Sequence, residues 1–591
     1  MNRQERDILH CLMTKSFENQ RMLAEATGYS LGSVNRYLKE LLRNDYINEN
    51  MQPTKKTIDE FHKNSPQRAI ILAAGIGMRM VPINTEISKG LIEVNGEPLI
   101  ERIIKQLKEV GIREIYIVVG FMKEKYEYLM DKYDVDLIVN AEYMTKNNIY
   151  SLKLVDKYIE NSYIIPCDIW CTHNPFDRYE LYSWYMVSDL VENHSSIRVN
   201  RKKEIVNINK DAAGNAMIGI AYITKEDAQI LRKNIEKMCC DFKYDDSFWE
   251  EALFNNNKMI VEAKIVLSSE VIEINTYEQL RELDCKSNQL KTEAIKVICK
   301  ALNAKENDIV DINILKKGMT NRSFYFNCKG KKYIMRIPGE GTDRLIDRVK
   351  EAEVYNAIKE KGICDDIIYI NPQNGYKITE FLENARVCNP KSYEDIKKCM
   401  CKLKEFHKLK LKVKHEFNIF EQIEFYESLW GDVQSIYNDY KKTKKNIFSL
   451  KEYIDKNSNE KVLTHIDAVP DNFLFIEREG KQEVRLIDWE YAGMQDPHVD
   501  LAMFCIYSLY DKIQIDELIK IYFEGHCDNR VKIKIYCYIA VCGLLWSNWC
   551  EYKRRLGVEF GEYSLRQYRY AKEYYRIVQK ELEAQKESEE A

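Results

Sequence analysis

His465-Ile466-Asp467-Ala468-Val469-Pro470-Asp471-Asn472, followed sixteen residues after Asn472 by Asp488 in Leu486-Ile487-Asp488-Trp489-Glu490-Tyr491, decides the reading of the C-terminal half. An Asp on a loop, an Asn five positions on and an Asp beyond a short hairpin are the set that holds a hydroxyl nucleophile and Mg²⁺ against a nucleoside triphosphate. Asp467 is the candidate base, Asn472 and Asp488 are the candidate Mg²⁺ ligands, and His465 is the candidate brace of the loop. The elements around this set fit the same chemistry. Ile314 to Tyr325 and Lys331 to Ile337 read as antiparallel strands about a turn at Lys329-Gly330, a helix follows from Arg348 to Lys359, and the rest is mostly helical. That is a two-lobed plan, a small sheet lobe followed by a large helical one.

Working outward, Asn64-Ser65-Pro66 is a breaker, and Ala69-Ile70-Ile71-Leu72-Ala73 after it is a continuous apolar run of the kind buried parallel strands show. Further strand-like runs at Glu114 to Val119, Leu137 to Val139 and Tyr163 to Pro166 alternate with helical segments such as Leu99 to Val110. Such alternation predicts an α/β domain with a mainly parallel sheet, closing near Asp284. In Leu72-Ala73-Ala74-Gly75-Ile76-Gly77-Met78-Arg79, Gly75 and Gly77 allow backbone N–H groups to converge on a phosphate.

Residues 1–64 read as three short helices and a hairpin: Arg6 to Met13, Asn19 to Thr27 ended by Gly28, and a third helix through Val34, Leu38 and Leu41 capped by Ser30 or Ser33. This resembles a winged helix-turn-helix. The segment holds ten Lys/Arg against nine Asp/Glu, so the basic footprint expected of a DNA reader is missing; docking or regulation is the competing role. The expected domains are therefore 1–64, 66–285 and 289–591.

A chain of 591 residues exceeds one core, and 45% hydrophobic with 31% charged residues is ordinary soluble composition. The N-terminus has no signal-peptide order, and Ile535 to Leu545 is too short for a membrane span and reads as a buried helix. Seventeen cysteines without a framework point to a reducing, cytoplasmic setting. The net charge of -4 argues against wholesale nucleic-acid binding. Oligomeric state is not legible.

Two resemblances sharpen these readings. Residues 66–285, with Gly75, Gly77, Arg79, Pro82, Lys89-Gly90-Leu91, Gly96 and Pro98-Leu99-Ile100-Glu101-Arg102, resemble the nucleotidyltransferases that join sugar 1-phosphates or phosphocholine to a nucleoside monophosphate. The resemblance implies that Leu72, Ala73, Ala74, Gly75 and Gly77 cradle the nucleotide. Arg79 and Lys89 then neutralise its triphosphate, and Asp168 binds Mg²⁺. Ser88 stands where that family commonly has Pro. The second acid of the metal site is matched by Asn275 in Glu273-Ile274-Asn275, with Glu273 as the other candidate. Asn147-Asn148-Ile149-Tyr150 resembles the segment beside the acceptor, and Trp170, Trp184, Tyr185 and Trp249 are candidate π-faces for a quaternary ammonium.

About residues 300–575 resemble choline and ethanolamine kinases, relatives of aminoglycoside phosphotransferases. The resemblance implies that Thr320 and Asn321 cover the ATP phosphates, that Arg336 pairs with Glu351 (Glu353 competing), and that Lys377 to Phe381 meets adenine. It also implies that Tyr491, Trp546 and Trp549 cage the amine, to which Tyr563 in Gly561-Glu562-Tyr563 is added as a further candidate. Together the two imply a bifunctional enzyme: choline and ATP to phosphocholine and ADP, then phosphocholine and CTP to CDP-choline and pyrophosphate, with Mg²⁺ at both sites. The alternatives are ethanolamine or an aminoalkylphosphonate on the same scaffold, and a DNA-binding regulator that uses the catalytic domains as sensors.

Overall fold

Four short helices open the chain, each started by a side chain that accepts from an otherwise unsatisfied backbone N–H. Asn2 caps α1 (Arg3–Thr14) in a capping box with Glu5, Asn19 caps α2 (Gln20–Thr27), Ser30 caps α3 (Leu31–Arg43) and Thr54 caps α4 (Lys55–Lys63). Ser30 rather than Ser33 therefore starts the third helix. The computed structural model describes residues 1–590 apart from 194, 208–212, 255–258, 260, 316–320, 340–344, 459, 479, 557 and 559, and of 321 and 588–590 the backbone alone. The expected hairpin is reduced to one bridge, Ile47 with Pro53, and α4 stands as a fourth helix beyond the three expected.

The winged helix and the α/β domain share one compact unit, Met1–Lys296, and Val297–Ala591 form the other. The helix Glu293–Ala301 runs across that division. Within the first unit α1 is anchored by polar contacts at three points. Arg3 pairs with Glu262, Tyr29 and Tyr182 both donate to Asp7 (Tyr182 at 2.8 Å), and His10 Nε2 lies 3.2 Å from Asp177 Oδ2. Leu181 completes the apolar core made by Ile8, Leu9, Leu23, Val34, Leu38 and Phe61. Leu31, Asn35, Arg36, Lys39 and Arg43 of α3 stay exposed.

Ala69, Ile71 and Ala73 of the strand Arg68–Ala73 enter one core, and Ile70 enters another on the opposite face. Burial on both faces is why the run reads as continuously apolar. The strand sits near the middle of a seven-stranded sheet ordered Glu262–Val266, Trp184–Glu192, Gly214–Ile223, Ser162–Pro166, Arg68–Ala73, Glu114–Val119, Asp136–Val139. Four of its pairings are parallel; Gly214–Ile223 is antiparallel to both of its neighbours. The carboxyl ends of Arg68–Ala73 and Ser162–Pro166 lie side by side, the place where open α/β sheets bind ligands.

The second unit begins with a five-stranded antiparallel sheet ordered Ile309–Ile314, Asn321–Cys328, Lys331–Pro338, Lys377–Glu380, Ile367–Ile370. The strand expected over Ile314 to Tyr325 thus falls into two. Lys329 and Gly330, at φ 51° and 77°, make the tight turn the sequence marked. The helical lobe packs around Asn529–Arg555, long and apolar enough to cross a membrane by composition, with every residue of its most apolar window buried inside the protein. Its Lys534 pairs with Asp496 at 2.6 Å, which marks it as a core helix. All 17 cysteines are free thiols.

Candidate functional site

Both candidate centres form where a loop leaves a strand. In the first unit, the strand Ile169–Cys171 that follows Asp168 pairs with Val271–Glu273, with Ile169 opposite Glu273, and Ile274 N–H donates to the Asp168 carbonyl at 2.9 Å. That pairing carries Asn275 to Asp168 from more than a hundred residues away. Lys89 reaches both: its ammonium pairs with Asp168 Oδ2 and donates to Asn275 Oδ1 at 2.7 Å, while Arg79 Nη2 donates to the same Oδ1 at 3.0 Å. Gly77, at φ 65°, lies against the Lys89 stem, 3.4 Å from where a Cβ would stand.

Asp168 Oδ1 is buried and has no partner among the described residues. An orphaned carboxylate oxygen beside an amide oxygen suits a hard cation that keeps part of its water shell, so Asp168 and Asn275 fit Mg²⁺. Glu273 is the nearby acid; burial and the Asp168 charge push its pKa up. Ser88 is fully buried, its hydroxyl 2.6 Å from Tyr126 OH, so the position that commonly holds Pro is fixed here by a hydrogen bond.

Sequence reasoning missed Glu250. The Asn147-Asn148 segment holds its loop: Asn148 Oδ1 accepts from Trp249 N–H at 2.8 Å, and Asn147 N–H donates to Asp245 O at 2.7 Å. Tyr185 OH donates to Glu250 Oε1 at 3.1 Å, whereas Oε2 is buried without a partner among the described residues. Burial is the main cause that pushes its pKa to about 7. The carboxylate lines a cavity of about 210 Å³ with Met238, Tyr244, Glu251 and Phe254. Trp184 instead packs in the core with the Lys264 ammonium 4.2 Å from its ring, and the Arg102 guanidinium stands 5.3 Å from the Trp170 ring. Both rings already face cations of the chain.

In the second unit Asn472 Nδ2 donates to Asp467 at its carbonyl (2.9 Å) and Oδ2 (3.2 Å), and Ile487 N–H donates to Asn472 O at 2.9 Å. Asp467, Asn472 and the segment before Asp488 are thus tied together. Burial first and the Asp488 charge second push Asp467 to about 7. His465 Nε2 donates to Ile487 O at 2.9 Å, which gives the brace its partner. Asp500, which sequence reasoning also missed, accepts from His465 N–H at 3.1 Å and Ile466 N–H at 2.8 Å, with His407 Nε2 at 2.9 Å.

Arg336 pairs with Glu351 through both guanidinium nitrogens, Nη2 to Oε2 at 2.9 Å. Burial pulls Glu351 up, but Arg336, Lys377 and Arg348 outweigh it and hold the carboxyl at about 2. Glu353 instead accepts from Lys414 N–H at 3.0 Å, with His415 Nδ1 3.5 Å away. Lys377 Nζ donates to Tyr355 OH at 2.6 Å. Thr320 lies outside the described residues, as does the Asn321 side chain. Tyr491 and Trp546 meet edge-on at 5.8 Å and Trp546 and Trp549 edge-on at 5.4 Å, while Phe560 lies tilted against Trp549 at 5.2 Å and against Tyr563 at 6.4 Å. Tyr491, Trp546, Trp549 and Tyr563 therefore belong to one aromatic chain, which Phe560 completes.

These two arrangements can carry phosphoryl and nucleotidyl transfer, and known proteins resemble each. The choline/ethanolamine kinase pattern matches residues 312–537, the MobA-like NTP transferase pattern residues 69–175, and the winged helix-turn-helix DNA-binding pattern residues 1–48. Choline-phosphate cytidylyltransferase of Streptococcus pneumoniae is 33% identical over 221 residues, 37% of this chain and 96% of the relative. Protein LicA of Haemophilus influenzae is 27% identical over 267 residues, 42% of this chain and 95% of the relative. The crystal structure of choline kinase LicA from Streptococcus pneumoniae, 27% identical, covers 48% of this chain and 100% of its own with a TM-score of 0.42.

Proposed function

Because the chain belongs to the choline-phosphate cytidylyltransferase family and carries a choline/ethanolamine kinase domain behind it, we propose that it makes CDP-choline in two steps. The observation that carries this reading is that each candidate phosphate centre stands in a unit that also holds groups a cation is drawn to: the adjoining Tyr491, Trp546 and Trp549 rings in one unit, the Glu250 cavity in the other.

In the kinase step the Asp467 carboxylate accepts the choline hydroxyl proton as the new bond to the γ-phosphorus forms, the bond to the β-phosphate oxygen breaks, and ADP leaves. Asp500 and His465 hold the loop so that no reorganisation is needed. Arg336, fixed by Glu351, is the phosphate-pairing cation. In the transferase step a phosphocholine oxygen attacks the α-phosphorus of CTP and pyrophosphate leaves. Arg79 and Lys89 neutralise the charge on the leaving group, and Glu250 attracts the trimethylammonium. Mg²⁺, held by Asn472 and Asp488 in one centre and by Asp168 with Asn275 in the other, would supply further neutralisation of the phosphates. The winged helix acts in this proposal as a docked module; a DNA role requires salt-sensitive duplex binding, for which its charge balance gives no support.

The test is ³¹P NMR with Mg²⁺ and four mixtures: choline with ATP, phosphocholine with CTP, choline with both, and ethanolamine with both. Phosphocholine in the first and CDP-choline in the second and third support the reading. Turnover in the ethanolamine tube alone moves the assignment to a primary amine, and silence in all four rejects the enzymatic reading of both centres.

A further inference from the structure

Trp546, Trp549 and Lys553 lie at i, i+3 and i+7 of the helix Asn529–Arg555, so the three share one face. The Lys553 ammonium stands 5.5 Å from the centre of the Trp549 ring, within the range of a cation–π contact. Lys553 as a residue is only 8% exposed, and the ring is the one partner recorded for its ammonium among the described residues. An ammonium drawn partly out of water without an acceptor is unfavourable. What holds it is the ring face together with the field of Glu490, the neighbour of Tyr491; burial lowers the Lys553 pKa and Glu490 opposes that. Ring face and carboxylate are the attractions a quaternary ammonium seeks, since it has no hydrogen to donate.

We propose that Lys553 is a specificity-determining residue of the kinase: in the empty site its ammonium takes the Trp549 face, and the substrate cation binds by displacing it. The chain then supplies its own competitor, which raises the KM of the amine and excludes weakly held cations. The proposal rests on the choline-kinase reading above. It assigns the last turn of this helix a role in selecting the headgroup rather than in packing.

The experiment titrates the full-length protein with tetramethylammonium, followed by tryptophan fluorescence, and measures choline and ATP kinetics in the same variants. Lys553→Met keeps the stem and removes the charge; it should tighten tetramethylammonium binding and lower the choline KM by about three- to tenfold, the size of one cation–π contact. The ATP KM should stay put, and kcat should change far less than the choline KM. Lys553→Arg should give no such gain, because a guanidinium stacks on the ring as well. Lys553→Gln reads the same charge loss if the Met variant does not fold. Unchanged or weaker tetramethylammonium binding in the neutral variants overturns the proposal. A wild-type protein that neither binds tetramethylammonium nor phosphorylates any amine would instead sink the kinase reading beneath it.

Discussion

Asp500 accepts the backbone N–H of Ile466 at 2.8 Å, and Ile466, a β-branched residue, holds φ at 70°. Left-handed backbone is unfavourable for such a side chain and persists where surrounding contacts over-determine it. The strain sits one residue before the candidate base, so the hydrogen bond aims Asp467.

Asp500→Asn replaces one accepting oxygen by a donor facing N–H groups or the His407 ring. The expected result is a fall in kinase kcat of about 10- to 100-fold from misplacement of the base, with CTP-dependent turnover of phosphocholine retained. Paired assays on one preparation check it, and an equal loss of both activities would mean general unfolding instead.

Asp467→Ala should remove phosphate transfer from ATP by about 10²–10⁴-fold, the range of a general base, and spare cytidylyl transfer from supplied phosphocholine. Lys89→Ala should do the reverse, losing about 10²–10³-fold as expected for a charge-stabilising contact. Loss of both activities in either variant would contradict two independent centres.

Glu250→Gln keeps the Tyr185 hydrogen bond and removes the charge that the carboxylate carries above its pKa of about 7. Phosphocholine KM should rise about tenfold, the value of roughly one charged contact, while CTP KM stays near wild type. Equal changes in both constants would assign Glu250 to packing.

Burial lowers the pKa of His10, but its hydrogen bonds, that of Asp177 foremost, and the charges of Asp177 and Glu180 outweigh this and raise it from 6.5 to about 10. A raised folded-state pKa means stabilisation that is complete below the unfolded value and is lost as pH rises through the folded one. The docking of α1 should therefore weaken between about pH 6.5 and 10 in hydrogen exchange of Arg3–Thr14, and His10→Ala should flatten that dependence. Protection that stays level in the wild-type protein would show the pair to be irrelevant to docking.

Spacing along the chain was enough to single out Asp467, Asn472 and Asp488 as candidates and to find the buried strand Arg68–Ala73, because local geometry and periodic burial constrain neighbouring residues directly, whereas Arg79 and Lys89 came from the resemblance alone. Arg336 and Glu351 were legible from the resemblance, and the structure chose Glu351 over Glu353 by turning the latter to the Lys414 backbone N–H. Glu250, Asp500, His407, the anchoring of α1 and Lys553 on Trp549 were not legible. Each depends on segments remote in sequence or on burial, and no period or spacing encodes which distant side chain will meet a loop. The sequence by itself determined the two chemistries and the elements that carry them; the tertiary structure alone decided which carboxylates are buried, which backbone is strained and which cations already face the aromatic rings, because desolvation and long-range pairing arise only once the chain has packed.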